Sequence, residues 1–176
     1  MKIKDITLIS LMAALMCMLA PISLPLGSIP ISLSTFAVYI AAGILGNKRG
    51  TMAVLTYILL GAIGLPVFSG FSGGVQKLFG ITGGYIIGYL PCVYISGHFI
   101  KKAEEKKWVY LIGLSLGTLA CYTLGTLWFM LQASVTPLIA LSTCVFPFIP
   151  GDIIKIIAAT TIIYPMRKVL RLSISM

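Results

Sequence analysis

The chain has 176 residues, 59% of them hydrophobic and 10% charged, and a mean hydropathy of +1.05. A typical soluble domain is about 25% charged, so this is the composition of a polytopic membrane protein, and the length fits a single membrane-embedded domain over 1–176. The net charge of +9 does not indicate nucleic acid, because the basic residues fall in small clusters between apolar runs and form no stripe interleaved with exposed aromatics.

The apolar runs predict an all-α protein with six transmembrane helices. Lys2 and Lys4 precede span 1, residues 6–20, which Pro21 ends or kinks. No small-x-small cleavage site follows, so this run is read as a mature first span and not as a signal peptide. Ser10 with Ala14, and Ala13 with Cys17, are small residues four apart, a spacing that lets another helix approach closely in lipid. Packing within the chain and packing against a partner protein satisfy that spacing equally.

Residues 22–30 include Pro25 and Pro30 and read as an uncharged connector, extended or broken. Span 2 covers 31–46, Asn47-Lys48-Arg49-Gly50 is a turn, and span 3 covers 51–64. Both spans are shorter than the roughly 20 residues of a full crossing. A re-entrant hairpin would put Lys48 and Arg49 at membrane depth, at about 2.5–3.5 kcal/mol per charge. Two short crossings are therefore preferred.

Residues 65–85 combine Gly70, Gly73, Gly74, Gly80, Gly83 and Gly84 with Phe68, Phe71 and Phe79. The segment is too glycine-rich for a plain span and too apolar for a solvated loop. Irregular backbone at membrane depth is tolerated where it is buried or lines a cavity, so the segment reads as a lid or a wall. It contains no GxxxxGK[ST], which excludes a phosphate cradle of that type.

Span 4 covers 83–100 and span 5 covers 108–132, separated by the charged connector at 101–107. Gly84, Gly88, Cys92 and Ser96 form a small-residue stripe on span 4. Gly113, Gly117, Cys121 and Gly125 repeat it on span 5, and both are read as helix-packing surfaces. Residues 134–147 read as an uncharged connector. Span 6 covers 150–164, with Pro165 near its end and Arg167, Lys168 and Arg171 beyond. Cys17, Cys92, Cys121 and Cys144 are scattered, without CxxC, and read as packing residues. His98 has no second His or Cys at ligand spacing, so neither a metal nor a cofactor is expected.

Six crossings put both termini, residues 47–50 and residues 101–107 on one side of the bilayer. That side holds eleven of the thirteen basic residues. Lys77 alone falls on the other side, and Lys155 lies within span 6. The positive-inside rule makes the termini cytoplasmic in a cell membrane. The glycine-rich segment and the Pro150 end of span 6 then converge on the outer side.

Asp152 is the one carboxylate outside the basic ends and connectors, and Lys155 follows at i+3 on the same helical face. Pro150 suits the first helical position, and the helix dipole favours a negative charge in the first turn. A helix cap with a structural ion pair is one reading. A ligand site is the other, and ionisable groups inside a membrane favour it. Phe68, Phe71, Phe79, Tyr85 and Phe148 supply apolar walls. Such a cavity fits a small, mostly apolar ligand with a few polar atoms. No Ser/His/Asp set and no second carboxylate accompany the pair, so no enzyme is expected.

These residues resemble a known family. Gly64-Leu65-Pro66-Val67-Phe68-Ser69-Gly70, Gly73-Gly74, Gly80-Ile81-Thr82-Gly83-Gly84-Tyr85 and Pro147-Phe148-Ile149-Pro150-Gly151-Asp152-Ile153-Ile154-Lys155 are similar to the signature of BioY. BioY is the substrate-binding S component of energy-coupling-factor (ECF) biotin transporters. The turn at Lys48-Arg49-Gly50 matches as well, and the resemblance runs along nearly the whole chain. Ile81 departs from a frequent proline before Thr-Gly-Gly, and Phe71 interrupts the usual Gly-Gly run. The resemblance implies the six-helix S-component fold, biotin capture from outside, and partnership with a transmembrane T component and two ATPases. It implies that Asp152 binds the ureido N–H groups and Lys155 the ureido oxygen or the carboxylate. Gln76 and Tyr85 are further candidates in the lid and wall. The partner surface would include Ser10, Ala13, Ala14 and Cys17. An S component for another small vitamin or heterocycle, or a solitary transporter, is the alternative.

Overall fold

The computed structural model describes residues 3–24, 31–103 and 106–174. Lys2, residues 25–30 of the first connector, and Glu104 and Glu105 of the charged connector lie outside the described residues. Helix α1 covers Ile3–Leu19, and Pro21 follows its end. The connector then forms a short antiparallel ribbon of β1 (Ser23–Leu24) and β2 (Ile31–Ser32), with Ser23 opposite Ser32.

Helix α2, Ser34–Ala62, contains both span 2 and span 3. The expected four-residue turn at 47–50 is replaced by a break at one residue, Gly46, with φ 73° and ψ −166°. That backbone geometry strongly favours glycine. Asn47, Lys48, Arg49 and Gly50 are already helical. The two halves lean together at this elbow: a Cβ on Gly50 would lie 3.2 Å from the Ala41 carbonyl oxygen. Nine residues of straight helix would separate such atoms by about 13 Å.

The glycine-rich segment contains a single helical turn, α3 (Val75–Phe79), before α4 (Gly83–Lys102). Helix α5 covers Lys107–Ala133 and stops at Ser134, which takes the left-handed conformation with φ 52°. The expected connector at 134–147 is not all irregular. It holds α6, Pro137–Cys144, preceded by extended Thr136 and started by Pro137 at a position where the missing N–H costs nothing. Helix α7, Ile149–Ile174, runs through Pro165 and ten residues past the expected end at Tyr164. Among the described residues, α1, the two halves of α2, α4, α5 and α7 are the six long helical segments. This is an all-α, six-helix membrane fold. Two of its helical stretches, Lys107–Ala133 and Ile149–Lys168, are each long and apolar enough to cross a membrane by themselves.

The small-residue stripes of spans 4 and 5 face one another. A Cβ on Gly117 would lie 2.1 Å from Ser96 Oγ and 2.7 Å from the Cys92 carbonyl oxygen, and one on Gly88 3.1 Å from Cys121 Sγ. Helices α4 and α5 thus touch backbone to backbone, and Ser96 Oγ donates to the Gly113 carbonyl at 3.2 Å. The core between α1, α2, α4 and α7 is filled by Met16, Tyr39, Val54, Tyr57 and Ile163. Tyr39 and Thr118 satisfy each other inside it, oxygen to oxygen at 2.6 Å. Leu59, Leu119, Ile153 and Ile157 are exposed, as helices facing lipid require. At one end of the bundle Arg49 pairs with Asp5 at 2.9 Å, and Lys107 lies over the Tyr164 ring. Residues of α2, α4, α5 and α7, together with the glycine-rich segment, surround the cavity.

Candidate functional site

Helix α7 begins directly after a tight turn, in which Ile149 N–H donates to the Val145 carbonyl and Asp152 N–H to that of Phe148. Asp152 therefore stands in the first turn of α7, where the positive end of the helix dipole favours it. It is 4% exposed. Lys155, one turn on, reaches back so that Nζ lies 2.8 Å from Asp152 Oδ1. Thr35 Oγ1, at the start of α2, donates to the same Oδ1 at 3.2 Å and accepts from Lys155 Nζ at 3.2 Å. Tyr122 Oη, on α5, donates to Asp152 Oδ2 at 2.5 Å. One carboxylate thus ties together α2, α5 and α7. A buried charge is tolerable when paired and hydrogen-bonded in this way.

This cluster lies in a cavity closed by Tyr85, Ile86 and Tyr89 from α4, Phe148 from the turn before α7, and Ser69 and Lys77 from the glycine-rich segment. Tyr85 is fixed from two sides. Its hydroxyl lies 3.1 Å from Thr126 Oγ1 and donates to the Cys144 carbonyl at 3.3 Å, which binds α4 to α5 and α6. The glycine-rich segment is likewise moored: Trp128 Nε1 donates to the Gly80 carbonyl at 3.0 Å, and Gly70 N–H to that of Pro21 at 3.1 Å.

Of the residues expected at the site, Asp152, Lys155, Tyr85 and Phe148 come together around the cavity. Phe68 does not line it. Its ring is fully buried, edge-on to Tyr57 at 5.6 Å, and packs over Gly61, so it supports the wall from behind. Gln76 is exposed and its amide donates to the Gly73 carbonyl. Phe71 and Phe79 also point outward, 71% and 66% exposed. On α1, Ser10 and Ala14 are exposed and Cys17 is half-buried, whereas Ala13 is packed in the core.

Sequence reasoning missed Thr35, Tyr122 and Lys77. The run Ser32-Leu33-Ser34-Thr35 at the head of an apolar span was a usable signal for the first. Tyr122 gave none, because the preceding Cys121 belongs to the packing stripe and only the rotation of α5 turns the next residue to the cavity. The arrangement offers hydrogen-bond acceptors and donors beside an apolar wall, which suits selective binding of a small molecule. Among the described residues, no three His, Cys, Asp or Glu side chains converge as a metal site would require.

The chain is similar to known proteins along nearly its whole length. The BioY family model matches residues 1–172. A biotin transporter BioY of Thermotoga maritima is 41% identical over 156 residues, 88% of this chain and 90% of that protein. One from Rhodobacter capsulatus is 35% identical over 88% of each chain. The crystal structure of the S-component for biotin from an ECF-type ABC transporter superposes with a TM-score of 0.85, at 33% identity, over 94% of this chain and 92% of that one. The family match, the relatives covered over most of their length and the shared fold lead to one conclusion: this chain belongs to the BioY family.

Proposed function

We propose that this membrane protein is the biotin-binding S component of an ECF-type importer and that Asp152, Lys155, Thr35 and Tyr122 bind the ureido ring. Its family consists of transporter subunits and not of enzymes. The observation that carries the reading is the hydrogen-bond capacity left in the cluster. A carboxylate accepts about four bonds and an ammonium donates three. Asp152 accepts three, from Lys155, Thr35 and Tyr122, and so retains room for a ligand N–H on Oδ2. Lys155 donates two, to Asp152 and Thr35, and retains one for a carbonyl oxygen. A cyclic urea presents that combination, N–H beside C=O. The apolar remainder of biotin fits against Ile86, Tyr89 and Phe148, with Tyr85 at the wall.

The cavity faces the outside of the cell. The support is the distribution of basic residues, eleven with the termini against Lys77 at the cavity end. The chain has no GxxxxGK[ST] loop, so the energy for uptake comes from a transmembrane T component and two ATPases. The exposed small residues Ser10 and Ala14, with half-buried Cys17 beside them, give α1 a face for close helix contact.

The test is a titration of the purified protein with biotin, beside riboflavin and thiamine as competitors. Saturable biotin binding that the others do not displace supports the reading. Tighter binding of another vitamin would replace biotin by that ligand. Biotin uptake in cells lacking every ECF ATPase would instead make the chain a solitary transporter.

A further inference from the structure

We infer that Lys77 holds the carboxylate of the ligand and gives the cavity its preference for an acid over a neutral analogue. The inference rests on the biotin reading and adds a residue to it. The charged side chains lining the cavity are Asp152, Lys155 and Lys77. The first two neutralise one another at 2.8 Å, which leaves the cavity one positive charge in excess. A ligand with a neutral head and a single carboxylate cancels that excess. Lys155 is already committed: two of its three donors are taken by Asp152 and Thr35, and the biotin reading assigns the third to the ureido oxygen.

Lys77 meets the requirements from the other side. It lies in the last turn of α3 and is half-buried. Among the described residues its ammonium makes no ion pair or hydrogen bond, so all three donors are open. Its backbone is held, since its N–H donates to the Gly74 carbonyl at 3.1 Å and Gly80 is bonded to Trp128 three residues later. The residue is also an exception in charge placement. Eleven basic residues gather at the opposite end, and Lys77 stands apart from them on the segment that closes the cavity. A lysine serving only solubility has no reason to line a cavity whose other charges are already paired.

The test compares biotin with biotinamide, its neutral analogue, on the parent, Lys77→Met and Lys77→Arg proteins. The parent should bind biotin roughly fivefold to tenfold more tightly than biotinamide, as a charge-assisted bond does over a neutral one. Lys77→Met should weaken biotin alone, so that acid and amide bind equally. Lys77→Arg should keep the preference, and the preference should shrink as salt rises. A parent that binds both equally well overturns the inference and leaves the biotin reading standing. So does Lys77→Met protein that retains the preference, or that loses acid and amide in parallel, which would make Lys77 structural. A parent that binds neither ligand overturns the biotin reading, and the inference with it.

Discussion

Tyr122 and Asp152 are joined by a 2.5 Å hydrogen bond from the phenol to Oδ2, across the interface between α5 and α7. This bond distinguishes Asp152 from an ordinary helix cap, whose oxygens would turn to the backbone N–H groups of its own first turn. Here both oxygens turn sideways, one to Tyr122 and the other to Thr35 and Lys155. The carboxylate is held open towards the cavity by three different helices.

Asp152→Asn keeps the shape but removes the charge and one acceptor. Loss of a hydrogen bond to a charged group costs about 1.5–3 kcal/mol, so biotin affinity should fall by at least about tenfold. Tyr122→Phe should fall by less than about tenfold, because Thr35 and Lys155 still hold the carboxylate. Isothermal titration of both variants checks the order. Parent-like affinity in a folded Asp152→Asn protein would return Asp152 to the role of a cap.

The stripe contacts between α4 and α5 predict a sharp difference between two glycines. Gly117→Ala places a methyl group 2.1 Å from Ser96 Oγ and 2.7 Å from backbone at Cys92. Overpacking of this kind costs about 1–3 kcal/mol. Gly151→Ala meets nothing within 4 Å and should change stability by no more than about 0.5 kcal/mol. Thermal unfolding in detergent compares the two, and equal stability would show that the helices separate easily.

Orientation is accessible to labelling. In a variant lacking the four native cysteines, Phe71→Cys should react with an impermeant maleimide in sealed cells, since Phe71 is 71% exposed on the glycine-rich segment. Lys106→Cys, also at an exposed position, should react after the cells are opened. The reverse pattern would invert the topology and place the cavity on the cytoplasmic side.

On α1 two adjacent alanines should behave differently. Ala14 is exposed and Ala13 is 2% exposed in the core. Ala14→Trp should bind biotin normally, yet fail to co-purify with the T component and ATPases and fail in uptake. Ala13→Trp should lose binding as well, because a large ring cannot enter the core without displacing α2. Normal uptake by Ala14→Trp cells would remove α1 from the partner surface.

Much of this protein is determined by its sequence alone, because membrane insertion reads local composition. Long apolar runs, their basic borders and the small-residue stripes of spans 4 and 5 depend only on neighbours along the chain. They specified the six helices and marked the stripes as packing surfaces, while the structure showed that the two stripes meet each other. Asp152 and Lys155 were legible for a similar reason: two charges one helical turn apart in an apolar setting stand out locally. Tertiary structure decided what depends on rotation and distance between segments. It placed Phe68 behind the wall instead of on it, turned Gln76 outward, and separated buried Ala13 from exposed Ala14. It compressed the expected turn at 47–50 into Gly46, because the close approach of Gly97 to the Gly46–Asn47 backbone leaves no room for a loop. It also brought Thr35 and Tyr122 to Asp152 from 117 and 30 residues away. No local pattern records such meetings, since they arise only when packed helices fix which face each one turns to the cavity.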